Sequence, residues 1–127
     1  MIEIEDYSTD KRADHKRELF EATASTHAVS VQLDARRPGV LVPEPFRNTP
    51  NLILKFSPRF GTELSVGLDG IRQEINFPRF GTFEVRVPWS AVYSIHADKH
   101  GAEVAVWASD VPRELQRAFG LKQAIAN

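Results

Sequence analysis

The chain has 127 residues, no cysteine, and 16 Lys and Arg against 17 Asp and Glu, for a formal charge of −1. A chain of this size with 42% apolar and 26% charged residues can bury a core as one domain without a disulfide or metal staple, and the missing thiols exclude disulfide scaffolds, thiol catalysis and cysteine-based zinc sites. No apolar run approaches the roughly 20 residues needed to cross a bilayer, and the start reads as no signal peptide, so the expectation is a cytoplasmic domain in a reducing compartment.

The charge is unevenly spread. Residues 1–28 hold four basic and seven acidic residues, residues 29–110 hold nine of each, and residues 111–127 hold three and one. The ends read as solvated segments of opposite sign. The neutral middle argues against a dedicated nucleic-acid binder, which needs an excess of Lys and Arg on at least one face. Residues 1–27 are expected to form an N-terminal extension and helix, 28–108 a β domain, and 109–127 a C-terminal helix or tail.

Residues 1–10 carry no usable period and read as frayed or extended. Lys11 to Ala24 are good helix formers, with Asp10 as an N-cap. Their apolar residues, Ala13, Leu19, Phe20, Ala22 and Ala24, allow one narrow stripe to dock. Val29, Val31 and Leu33 then alternate with polar residues, which predicts a half-buried strand. Arg37-Pro38-Gly39 turns the chain, Pro43 and Pro45 stop regular pairing after Val40-Leu41-Val42, and Phe46 to Pro50 reads as a loop. Asn51 to Phe56 is heavily apolar and is expected to be central in a sheet. A short strand at Leu64–Val66 precedes Asp69-Gly70, a hairpin signal, with Ile71 to Phe77 as the returning strand. Phe83–Val87, Ala91–Ile95 and Glu103–Trp107 complete about seven strands. Asp110 and Pro112 open a last helix, whose apolar face would be Leu115, Phe119 and Ile125. Short strands without intervening helices predict a small antiparallel barrel or sandwich.

Pro58-Arg59-Phe60-Gly61-Thr62 recurs as Pro78-Arg79-Phe80-Gly81-Thr82. The plainer account is a reused strand-turn-strand solution, in which Pro ends pairing and Gly takes the awkward dihedral. The functional account gathers two Phe and two Arg at one rim of a barrel. No nucleophile elbow, phosphate loop or dinucleotide fingerprint is present. His96 and His100 have ligand spacing, and Asp98 could assist, but a structural zinc site needs four good ligands. No catalytic residue, metal or cofactor is therefore expected. What remains is aromatic material beside turns and prolines: Phe46, Phe56, Phe60, Phe77, Phe80, Phe83, Trp89 and Trp107. A domain this small cannot hide all of it. Apolar grooves beside strand edges suit extended peptides.

The run from Val29 through Pro38-Gly39-Val40 to Pro43 resembles the first strands of the SspB (stringent starvation protein B) family. Asn51 to Pro58 is similar to that family's next strand. Arg79-Phe80-Gly81, Val85-Arg86-Val87-Pro88 and Ala91 to Ile95 resemble its Arg-Phe-Gly-Gly, Val-x-Val-Pro and Ala-Ala-Val-x-x-Ile pieces, with Thr82 in place of the second Gly. The resemblance spans residues 29–107. It implies a mainly β fold, a small Sm-like antiparallel barrel with an N-terminal helix and a short C-terminal one. It implies an adaptor that binds ssrA-type degradation tags and delivers tagged proteins to the ClpXP protease by docking on ClpX, with the N-terminal helix as a homodimer contact. It implies a peptide groove at Val42, Pro43, Phe56, Phe77, Phe80 and Gly81, with Arg79 facing acidic residues of the tag. Two other readings stay open: an Sm-like nucleic-acid module, which eleven Arg among the basic residues suit slightly, and a non-enzymatic structural partner subunit.

Overall fold

The computed structural model describes residues 2–4, 9–98 and 102–119. The fold is mainly β with one α-helix. Strand β1 (Ile2–Ile4) and helix α1 (Thr9–Ala24) precede β2 (Val29–Leu33), β3 (Leu52–Phe56), β4 (Ser65–Val66), β5 (Gly70–Phe77), β6 (Gly81–Pro88), β7 (Val92–Ala97) and β8 (Ala102–Trp107). One sheet has the order β1-β8-β7-β2-β3 and the other β4-β5-β6. All pairings are antiparallel except β1 with β8. The two sheets do not close into a barrel. A single bridge from Leu41 to Arg86 extends the smaller sheet beyond β6.

Alternation sets the core. Val29, Val31 and Leu33 of β2, Leu52, Leu54 and Phe56 of β3, and Val85 and Val87 of β6 are buried, because successive strand side chains point to opposite faces. β3 is not central, as its apolar run suggests, but an edge strand. Its outward residues are Ile53, 57% exposed, and Lys55, which pairs with Asp98. A continuous apolar run does not distinguish a two-face-buried strand from an edge strand carrying one outward Ile. Ile2–Ile4, expected to be frayed or extended, are extended and add a parallel strand to β8.

Helix α1 docks through one stripe at helical spacing: Ala13, Lys16, Phe20 and Ala24, of which the last three are buried. Phe20 packs edge-to-face on Phe56 and on Trp89, with ring centroids 6.1 and 5.9 Å apart. Lys16 is 1% exposed. Its Nζ donates to the Trp89 carbonyl and to Asp110, both at 2.8 Å, and lies 5.6 Å from the centre of the Trp107 ring. Arg12 approaches the same Asp110 oxygen at 3.2 Å. Burial pushes the Lys16 pKa down to about 8, and Asp110 opposes that shift.

Among the described residues the expected C-terminal α-helix does not form. Ala108–Asp110, Arg113–Leu115 and Arg117–Phe119 form three short 3-10 turns instead. Pro112 disfavours helical dihedrals at the residue before it, and Val111 and Pro112 are both extended, with ψ of 127° and 140°. The Asp110 carboxylate, expected to cap a helix, holds Lys16 and Arg12 instead. Ile125 lies outside the described residues. Val111 and Leu115 cover Tyr93 and Val106 on the outer face of the larger sheet. Glu114 reaches Arg36 at 2.9 Å, whose guanidinium also grips Asp34 through Nε at 2.8 Å and Nη2 at 3.0 Å. Burial alone would raise the Asp34 pKa, but these bonds and one from the Arg36 backbone hold it below the usual value. Among the described residues no helix is long and apolar enough to cross a membrane.

The buried Lys16–Asp110 pair sets a stability prediction. Asp110→Ala leaves the ammonium without its counter-ion and should lower unfolding free energy by about 3 kcal/mol. Lys16→Met should cost less, because Asp110 keeps Arg12. The unfolded chain holds the Lys16 proton up to about 10.5 and the folded chain releases it near 8. Wild-type stability relative to Lys16→Met should therefore rise with pH across that window, by up to about 1.4 kcal/mol per pH unit. Urea denaturation from pH 7 to 10.5 measures both effects.

Candidate functional site

The two copies of the Pro-Arg-Phe-Gly-Thr repeat take different jobs. Each makes a four-residue turn closed by its Phe N–H, from Phe60 to the Ser57 carbonyl and from Phe80 to the Phe77 carbonyl, at 3.3 and 3.0 Å. The first copy is tied into the fold. The buried Gln73 side chain on β5 accepts from the Ser57 N–H at 3.2 Å and donates to the carbonyls of Ser57 and Thr62 at 2.7 and 3.1 Å. Arg59 donates to the Ala24 carbonyl at 3.3 Å, satisfying an end group of α1. Thr62 donates to the Glu74 carbonyl at 2.9 Å.

The second copy stands free as the tip of the β5–β6 hairpin. Phe77 pairs with Gly81, leaving Pro78, Arg79 and Phe80 as the loop. Pro78 presets the first turn position. Arg79 then takes φ of +81°, alone among described non-glycine residues, and Gly81 takes +79°. The left-handed region disfavours a Cβ, so Arg79 holds a conformation usually left to Gly or Asn. Its side chain is exposed and makes no ion pair among the described residues.

Phe80 is 50% exposed at this tip. It meets Phe46 edge-to-face at 6.0 Å, and Phe46 lies at 5.6 Å from Phe77. Phe46 ends the 3-10 turn Glu44–Phe46. Pro43 and Pro45 shape that turn, and the Phe46 N–H closes it onto the Pro43 carbonyl at 2.9 Å. Phe60 is no part of this aromatic cluster, so the two repeats do not pool their rings.

The seven residues singled out in the sequence fall into two groups. Val42, Pro43 and Phe56 are buried: Val42 and Phe56 belong to the main core. Phe77 is also buried in that core and supports the cluster, while Arg79, Phe80 and Gly81 are at the surface. Phe46 completes the cluster; it is one of the aromatics noted beside turns and prolines but is not among the seven, because it follows two prolines in a stretch without period. Its signal was the same proline pair: a large aromatic held on a stiff turn has somewhere to pack.

Beside the cluster runs an open strand edge. Arg86 exchanges both backbone bonds with Leu41, at 2.9 and 3.1 Å, so its N–H and C=O point away from β5. Alternation turns the Thr82 and Glu84 backbone groups the same way. Among the described residues no strand pairs with them. Leu41, 46% exposed, closes one end of this free edge and Phe80 flanks the other. Among the described residues no group of three His, Asp or Glu could hold a metal ion. His100 lies outside them.

No protein-family model and no curated protein matches the chain.

The strained turn gives a direct test. Arg79→Gly should stabilise the protein by about 0.5–1 kcal/mol, the left-handed penalty less the entropy of Gly. Gly81→Ala should destabilise it by about 1 kcal/mol. Chemical denaturation reads both, and a destabilised Arg79→Gly would mean that the arginine side chain holds the turn.

Proposed function

We propose that this protein is a peptide-binding adaptor that recognises ssrA-type degradation tags and delivers tagged proteins to the ClpXP protease. The observation that carries the peptide reading is the half-exposed Phe80, set edge-to-face against Phe46, which in turn packs on Phe77, beside the unpaired backbone of Thr82 and Glu84. An extended peptide laid along β6 gains main-chain hydrogen bonds from the edge and side-chain contacts from the aromatic cluster. Gly81 lets the peptide backbone come close, and Arg79 offers an unpaired cation to acidic tag residues.

The tag and the protease come from the SspB resemblance over residues 29–107. On this reading the two sheets are an opened form of the Sm-like barrel. ClpX is the partner ATPase, and α1 supplies the homodimer contact with the side opposite its buried stripe. The protein binds rather than catalyses, and it works in the cytoplasm.

Isothermal titration with an ssrA-type peptide tests this reading. Binding tighter than ~100 μM, about −5.5 kcal/mol, is expected. Phe80→Ala and Phe46→Ala should each weaken it about tenfold, near 1.4 kcal/mol. No heat at that concentration, or full affinity in Phe80→Ala, would contradict it.

A further inference from the structure

The other end of the β5–β6 pair carries a different feature. Arg72 and Arg86 stand directly opposite each other in register, both exposed. Like charges directly opposite in an antiparallel pair are destabilising. Arg86 is relieved by Glu84 on its own strand, at 2.7 Å. Arg72 has no counter-ion among the described residues.

Both arginines are among the residues that line a concavity of about 390 Å³. Its walls are the β4–β5 turn and Pro88, with Leu68 75% exposed. Asp69 supplies the lining's one carboxylate and also borders a second cavity with Arg12 and Lys16. Gly67 is informative. Gly70 must be glycine, because a Cβ there would run into the Val87 carbonyl. Gly67 has an ordinary φ, and a Cβ there would meet nothing within 4 Å. Gly67 lines the concavity, so a larger residue there fits without a backbone clash and can be used to fill the space.

We propose that this concavity binds a small organic oxyanion, a carboxylate or a phosphate monoester carried on an apolar body. The planar fork of Arg72 matches either oxyanion; Arg86, whose Nε and Nη2 hold Glu84, adds its remaining positive edge, and Leu68, Val87 and Pro88 offer apolar contact to the body. The anion supplies the missing counter-charge and relieves the opposed pair. Arg86 lies roughly 20 Å along the strand from Phe80; its partner Glu84 adjoins the peptide edge, but the concavity shares no lining residue with the aromatic cluster, so the proposal does not depend on the peptide reading.

The test is an amide NMR titration of the full chain with phenyl phosphate and with benzoate, using neutral benzamide as the control. Saturable shifts at Leu68, Arg72 and Val87 are expected with one or both anions at a Kd below ~10 mM, and none with benzamide. The anion that saturates first assigns the oxyanion class. Arg72→Gln should weaken binding at least tenfold, and Gly67→Leu should abolish it by filling the space. Without ligand, Arg72→Gln should raise Tm by about 1–4 °C as the repulsion is removed. Absence of saturation with both anions, equal affinity in Arg72→Gln, or equal response to benzamide would overturn the proposal.

Discussion

The buried Gln73 amide holds the two sheets together where they would otherwise part. It sits in the middle of β5 and spends its carbonyl oxygen and both N–H groups on the backbone of Ser57 and Thr62. Those backbone groups follow the end of β3 and have no strand partner there. An unpaired amide buried at 1% exposure would carry a desolvation penalty of about 1–3 kcal/mol, so the contact is strongly directional. Its consequence reaches the surface. The first Pro-Arg-Phe-Gly-Thr turn is drawn into the fold, and Arg59 from that turn finishes α1. The second turn, with the same sequence, has no such partner and stays at the tip of the hairpin. Identical pentapeptides thus diverge because one lies within reach of Gln73 and the other does not.

The helix is fixed by a comparable arrangement. A stripe of Ala13, Phe20 and Ala24 is thin for docking a helix, and the place between them is filled by Lys16. Its stem packs among apolar neighbours while its ammonium finds Asp110 and the Trp89 carbonyl. That pairing ties α1 to the chain after β8. It also uses the carboxylate that could have capped a C-terminal helix. The first segment does not simply face water, since two of its basic residues, Arg12 and Lys16, converge on Asp110 at the end of the neutral middle.

Strand alternation was plain in the sequence because Val, Leu and Ile recur at period two between Ser, Gln and Glu. The hairpin near Asp69-Gly70 was legible, but not its turn: Leu68 and Asp69 make the turn between Gly67 and Gly70, Asp69 has no positive φ, and Gly70 opens β5 at φ of +152°. β3 was misplaced because five apolar-rich residues look alike at an edge and in a sheet centre. The final helix failed because Asp110 and Pro112 fit a helix start locally, while a lysine 94 positions away claimed the aspartate. Of the site, Phe80 and Gly81 were visible through the repeat. Phe46 was visible as an aromatic beside two prolines, but its place in the cluster was not, because its partner rings come from a distant hairpin. Nor was the Arg72–Arg86 pair, which exists only once the strand register is known. Lys16 could have been found: it stands three residues after Ala13 and four before Phe20, on the one face that can dock.

The central claim is that an extended peptide pairs with the free edge of β6. Hydrogen exchange at the Thr82 and Glu84 amides reads that edge atom by atom, with and without an ssrA-type peptide. Both amides should exchange rapidly in the free protein and become protected together when the peptide binds, while the Phe83 and Val85 amides, which point toward β5, change little. Saturating peptide that leaves Thr82 and Glu84 exchanging at their free rates would contradict the account.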